Sequence, residues 1–437
     1  MKNTPIPAEI VDKIVAESGI KEVGKASIRE VKRLINQIET ASGKEFIRME
    51  MGIPGLPPCK VGVEAQIKAL QNGVAALYPD IEGIPDLKRE AARFVKNFID
   101  LDLNPENCIP TVGSMMGGMA GFMTFVRCRK ERDTTLFIDP GFPVQKQQHR
   151  VLGLKYETFD VYNYRGQKLR AKLESYLQKG NIHSIMYSNP NNPSWICFTE
   201  EELQIIGDLA NQYDVFVFED LAYFGMDFRN DISKPGEAPF QPSVGKYTDN
   251  YALLISGSKA FSYAGERIAI MVLSNKMFKR EFPDLMPYFR MTQLGRAIIY
   301  GTVYAISSGV SHSAQYAMAA ILKACNDGTY NYLDDVHEYG EKAAIMKKMF
   351  TDNGFYVVYD KDGDKDLADG FYFTVAYPGM TSDELLHEFL YYGVSAISLS
   401  TCGSERNEGL RACVSLTPRR QFPMLEERLK LFNENHK

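Results

Sequence analysis

Paired metal ligands are missing from this 437-residue chain: its six histidines form no H-x-x-x-H or H-x-H pair, so no helix face or strand is laid out to hold zinc. Its seven cysteines are an odd set without a C-x-x-C, which argues against a disulfide framework or a zinc knuckle and for a reducing compartment. Positive charge is not in excess. Lys and Arg total 50 against 55 Asp and Glu, a net charge of −5 with a pI near 5.8, and no broad field is available to draw in nucleic acid or anionic lipid. The opening MKNTPIPAEIVDK has no apolar run, so a secretory leader is not expected and a cytoplasmic location is. Two stretches without a charged side chain, 107–126 and 297–322, are long enough to span a bilayer. The first is broken by Pro110 and four glycines, the second by Gly301, Gly309, serines, His312 and Gln315, and both read as soluble core. No partner in nucleic acid or membrane is therefore expected.

What the chain does have is apolar content, 45%, enough for one large or two medium cores. From about 107 to 275, short apolar runs alternate with helical periods: CIPTV, SMMGGMAGFMTFV, TTLFID, KYETFDVY, LRAKLESYLQ, HSIMYS, VFVFE, YALLIS and IAIMVLS. A helix is expected from Thr199, whose T-x-x-E to Glu202 is a capping box. Strands apolar almost throughout have both faces covered by helices, so the class is α/β with a doubly wound, mostly parallel sheet. Beyond about 325 a long amphipathic helix, Tyr332 to Phe350, leads into YVVYD, GFYFTVAY, a helix over 383–391, VSAISL and LRACVSL. These predict a smaller α+β domain with its own sheet. The division expected is a large domain over 61–320 and a small one built from 1–60 with 321–437.

The chemistry-bearing residues follow the strands. SGSKAFSYAGER, Ser256 to Arg267, comes directly after YALLI, so a strand delivers Lys259 into a turn rich in serine and glycine. Two Asn-Pro units, Asn189-Pro190 and Asn192-Pro193, follow HSIMYS at the place where parallel sheets put ligands. Asp220 ends the strand VFVFE, with Tyr223 three residues on. A carboxylate there either caps the next helix or meets a cation.

In order and spacing these segments resemble the fold type I pyridoxal-phosphate enzymes, specifically the class I and II aminotransferases related to aspartate aminotransferase. The resemblance implies pyridoxal 5′-phosphate as cofactor, with Lys259 as both the aldimine lysine and the base that moves the proton. It implies that Asp220 faces the pyridine nitrogen and that Tyr223 and Asn192 bond the phenolic oxygen. TVGSMMGG would bring the N–H groups of Ser114 and Met115 to the phosphate at a helix N-terminus, with Ser256, Ser258 and Arg267 completing that site. Phe142, in Pro140-Gly141-Phe142-Pro143, corresponds to the ring stacked on the cofactor. Tyr78, opening Y-x-x-x-x-G-x-P-x-L, corresponds to a tyrosine that reaches the neighbouring subunit's phosphate, which implies a homodimer with shared sites. Arg411 in LRAC corresponds to the arginine that binds the substrate α-carboxylate, with Asn192 beside it, and Ile53 in MGIPGLPP lies in the segment closing over substrate.

The implied substrates are an amino acid and a 2-oxo acid. Other reactions on the same cofactor, carbon–sulfur β-elimination or decarboxylation, are the alternative. A ligand-sensing transcription regulator of this fold would need an N-terminal DNA-binding domain, and no helix-turn-helix is evident in the first sixty residues. The glycines of GSMMGGMAG fit neither nucleotide-binding spacing. Two features depart from the family pattern. Trp195 stands where many relatives carry glycine, which implies a displaced loop or a pocket wall, and PDLMPYFRMTQLGRAIIYGTVYAISSG is longer than its usual counterpart.

Overall fold

The computed structural model describes residues 3–437. Seven strands form the large sheet: Cys108–Val112 (β1), Thr134–Asp139 (β2), Lys155–Asp160 (β3), Ile182–Ser188 (β4), Phe216–Leu221 (β5), Tyr251–Ser256 (β6) and Ile268–Leu273 (β7). They pair in the order β1-β7-β6-β5-β4-β2-β3, parallel except where β7 runs antiparallel to both its neighbours. Every residue of β2, β4, β5, β6 and β7 is buried, because helices cover both faces. On one face, Phe122 and Phe125 of the helix Gly113–Phe125 (α1) pack on Phe218 and Phe216 of β5, with ring centroids 5.4 and 4.6 Å apart. On the other, Glu200–Tyr213 begins at Thr199 with the expected capping box and buries Leu203, Ile206 and Leu209.

The smaller domain carries Tyr356–Val357 (β8), Tyr372–Ala376 (β9), Ile397–Ser398 (β10) and Leu410–Cys413 (β11), antiparallel in the order β10-β11-β9-β8. The amphipathic helix runs Tyr332–Asp352, two residues past its expected end. Residues Ile47 and Arg48 pair in parallel with Val394 and Ser395, and the Ile6 N–H donates to Tyr391 O at 3.0 Å.

The first charge-free stretch lies in the core, and the second is partly buried, with Tyr300 and Tyr304 exposed. The first becomes β1 and α1, while the second turns from a π-helix (Ala297–Val303) through Tyr304–Ser307 into His312–Asn326. Among the described residues no helix is long and apolar enough to cross a membrane. Leu285 and Leu294, with Ala297, Ile298 and Val303 of the second stretch, pack into the same core cluster as Phe122 and Phe125 of α1. The parallel strands β2, β4, β5 and β6 present their carboxyl ends along one edge of the sheet, which is where ligands bind in such folds.

Candidate active site

A cavity of about 1040 Å³ lies at that edge, lined by residues of both domains. The large domain contributes Ser114, Met115, Phe142, Asn192, Asp220, Tyr223, Ser256, Ser258, Lys259 and Arg267, and the opposite wall carries Gly52, Ile53, Tyr372 and Arg411. Of the residues expected at a site, only Tyr78 stands apart: it is 92% exposed and lines a separate groove of about 820 Å³ with Tyr300.

Lys259 leaves the end of β6 and turns its amine against Gly52 O, 5.3 Å from the Phe371 ring centre. Burial, with the nearby Arg411 and Arg267 charges, brings its pKa down to about 8. At neutral pH a useful fraction of the amine is therefore unprotonated and nucleophilic.

Asp220 is buried, and desolvation lifts its carboxyl to about 6. Its partners are neutral: Ala222 N–H donates to Oδ1 at 3.1 Å and Gln145 Nε2–H to Oδ2 at 3.3 Å. No helix starts after β5, where residues 222–225 form a turn, and no cationic side chain among the described residues pairs with Asp220. The capping alternative is thereby removed.

Arg411 presents the converse case. It sits on β11 opposite Thr374 and is 1% exposed. Nη1 donates to Asn192 Oδ1 at 3.3 Å and Nη2 to Glu50 O at 2.5 Å, while Nε is buried without a partner. No carboxylate among the described residues pairs with this guanidinium, whose carbon lies 4.6 Å from the Tyr372 ring centre. Burying a charge without a counter-charge is costly, so Asp220 and Arg411 describe a ligand that brings a cation to one and an anion to the other.

A third anchor stands where α1 begins. Its N-terminus has no side-chain cap, and the Ser114 hydroxyl is buried without a partner. Arg267 approaches so closely that a Cβ on Gly113, whose φ is +67°, would lie 2.5 Å from Nη2. Its own left-handed backbone, φ +53°, turns the side chain back so that Nη1 donates to Ala264 O at 2.8 Å. Ser258 N–H donates to Ser256 Oγ at 3.1 Å. Free helix N–H groups, an unpartnered hydroxyl and a guanidinium together suit a phosphate dianion.

Asn192 and its neighbour divide their duties. Asn191 holds the turn, its Nδ2 donating to Pro140 O at 2.9 Å while its Oδ1 accepts from Ser194 N and Oγ. That leaves the Asn192 side chain facing Arg411. Trp195 adopts φ +65°, a backbone region that suits glycine. Its indole does not line the cavity but stands behind it, 5.3 Å from the Tyr223 ring and 6.1 Å from that of Tyr372. The long stretch around 283–309 contributes nothing to the cavity wall.

Two polar residues of the site escaped the sequence reading. Gln145 sits one turn into the helix Pro143–Leu152 (α2), with no motif to mark it. Tyr372 is placed by the register of β9 on β11, which a single sequence does not disclose.

Comparison with known proteins matches these features. The family described as aminotransferase class I and II matches residues 44–421. A probable aspartate aminotransferase of Methanocaldococcus jannaschii is 24% identical over 353 residues, 76% of this chain and 88% of that one. The glutamate-pyruvate aminotransferase of Escherichia coli is 30% identical over 53% of this chain and 54% of its own length. Among solved structures, the alanine aminotransferase of Pyrococcus furiosus superposes with a TM-score of 0.75 at 20% identity, covering 94% of this chain and 98% of that one. The fold is thus the fold type I architecture, and the chain belongs to the class I and II aminotransferases, pyridoxal-phosphate-dependent transferases of amino groups.

Proposed function

We propose that this cavity carries out amino transfer between an amino acid and a 2-oxo acid, in a cytoplasmic homodimer serving amino-acid biosynthesis. The observation that carries the reading is a pair of oppositely charged buried groups, Asp220 and Arg411, left without ionic partners in one cavity with a lysine of lowered pKa.

When bound, the cofactor supplies an aldehyde that captures the amine and a protonated ring that takes up the electrons left at the substrate Cα. Lys259 Nζ holds the cofactor in the resting enzyme and, once released, takes the proton from the substrate Cα. Asp220 keeps the ring nitrogen protonated, and Tyr223 with Asn192 binds the phenolic oxygen. Ser114, the N–H of Met115, Ser256, Ser258 and Arg267 hold the phosphate, and Phe142 covers the ring. Arg411 clamps the α-carboxylate, aided by Asn192, so that the Cα–H bond faces Lys259. Ile53 shields that bond from water at the mouth. Residues 61–320 act as the cofactor-binding domain and 1–60 with 321–437 as its small partner.

The dimer rests on Tyr78. It projects away from its own cavity beside the exposed Leu77, and the groove it lines also carries Tyr300. Lys88 fixes the segment by donating to the carbonyls of Glu82 and Cys108 at 2.8 Å and of Glu106 at 3.2 Å. A second copy would cover this surface and receive Tyr78 at its phosphate site.

The test is the absorbance of the cofactor-loaded protein during incubation with a panel of amino acids. A visible band that converts to the amine form of the cofactor, with stoichiometric release of a 2-oxo acid, is the expected result. Release of pyruvate and ammonia without conversion would replace transfer with elimination.

A further inference from the structure

Tyr372 is buried at the junction of three parts of the cavity. Its Oη lies 2.8 Å from Tyr223 Oη, and its ring lies under the Arg411 guanidinium at 4.6 Å. Neither hydroxyl has another hydrogen-bond partner among the described residues. The ring has little freedom: Trp195 packs on it and on Tyr223, and that indole fits only because Gly370 has no side chain, since a Cβ there would lie 2.1 Å from it. The pairing of Thr374 with Arg411 fixes β9, and Tyr372 with it, against the arginine.

Each phenol has one proton to give and room to accept. If Tyr223 donated to Tyr372, it would have no proton left to give a ligand in the cavity. The reverse order satisfies both groups: Tyr372 donates to Tyr223, and Tyr223 donates outward into the cavity. Consecutive donations in one direction polarise and strengthen one another in a low-dielectric site. The positive charge beside the Tyr372 ring reinforces the same direction by making its phenol a better donor.

We propose that Tyr372 is a positioning residue, which through its hydroxyl strengthens the hydrogen bond that Tyr223 gives the cofactor's phenolic oxygen. The inference rests on the placement of Tyr223 proposed above. A donor at that oxygen favours the form of the bound cofactor that has lost its proton, so the visible band titrates at lower pH when the donor is strong. The same side chain then couples the carboxylate-binding arginine to the electronics of the cofactor.

The experiment is a pH titration of the visible band of the cofactor-loaded wild type, Tyr372→Phe, Tyr223→Phe and the double variant. Tyr372→Phe keeps the ring beneath Arg411 and removes only the hydroxyl, and cofactor content with thermal melting of each holoenzyme reports whether the fold holds. The expected result is a midpoint raised by about half a pH unit in Tyr372→Phe and by more in Tyr223→Phe. In the Tyr223→Phe background, removal of the Tyr372 hydroxyl should shift nothing further, and KM for the amino donor should stay within about twofold of wild type in Tyr372→Phe. If Tyr223→Phe moves the midpoint and Tyr372→Phe does not, the inference is overturned while the site assignment stands. An equal Tyr372→Phe shift in both backgrounds also overturns it, because the hydroxyl would not be acting through Tyr223. If neither single variant moves the midpoint, Tyr223 does not face the phenolic oxygen, and both the placement and the inference fall.

Discussion

Gln145 gives Asp220 a neutral hydrogen bond at 3.3 Å where a cation would neutralise it. Burial raises the carboxyl to about 6, against the opposing pull of the Ala222 and Gln145 hydrogen bonds. Between about pH 4 and 6 the folded apoprotein binds the proton more strongly than the unfolded chain does, so stability falls as pH rises through that window. Asp220→Asn removes this penalty. The variant apoprotein should be more stable than wild type at pH 7.5 by about 3 kcal/mol, and equally stable below pH 4. Its amino transfer should fall by at least about a hundredfold. Urea denaturation at both pH values, with turnover alongside, checks this exchange of stability for function.

Lys259 carries the opposite shift, its amine lowered to about 8 by burial and neighbouring cations. Uptake of cofactor by the apoprotein should therefore accelerate about tenfold per pH unit below 8 and level off above it. Borohydride reduction of the loaded protein should leave one label, on the peptide containing Lys259. Lys259→Ala should take up no label and transfer no amino group while melting as a folded protein. A label on another lysine would displace the assignment.

The sequence made the sheet legible because its central strands are apolar at nearly every position, a pattern produced only by burial on both faces. Most of the cavity was legible for a related reason: Ser114, Asn192, Asp220 and Lys259 sit at strand ends, where chain order and spatial order coincide. Gln145 and Tyr372 were not, because each reaches its partner through long-range packing, Gln145 from a helix face and Tyr372 through the register of β9 on β11. Trp195 raised two possibilities, a displaced loop or a pocket wall. Its indole instead stands behind the tyrosines that line the cavity.

Arg411 is fully buried and has no carboxylate of its own. Arg411→Lys keeps the charge and loses the planar fork, so kcat/KM for the amino donor should fall by about a hundredfold. The cofactor band should be unaffected in intensity. Arg411→Leu, which removes a buried unpaired cation, should lose activity further yet leave the apoprotein no less stable. Steady-state kinetics with urea denaturation separates the two effects.

Tyr78 offers a test of the assembly that needs no structure of it. Tyr78→Phe should weaken cofactor retention about tenfold, by loss of one hydrogen bond to a charged group. Mixed dimers of Tyr78→Phe with Lys259→Ala chains decide where that tyrosine acts. If it crosses to the second copy, the site holding Lys259 receives an intact Tyr78 from the Lys259→Ala chain, and half the sites regain wild-type retention. If it acts within its own chain, every site that holds Lys259 also holds the phenylalanine, and retention in the hybrid matches that of Tyr78→Phe alone.

Trp195 is the only tryptophan in the chain, and its ring lies 5.3 Å from that of Tyr223. Its emission therefore reports on one place, the packing behind the tyrosines that line the cavity, without a contribution from any other indole. A cofactor whose phenolic oxygen meets Tyr223 brings an absorbing ring close to that packing, so emission should fall in step with the growth of the visible band as apoprotein is loaded. Emission that stays constant while the band appears would place the cofactor elsewhere. The packing itself depends on Gly370, where a methyl group would lie 2.1 Å from the indole. Gly370→Ala must push the indole toward Tyr223 and Tyr372, at about 1–3 kcal/mol in stability. Because both tyrosines back onto the same ring, the displacement should also weaken cofactor binding, although residue 370 itself touches no part of the cavity.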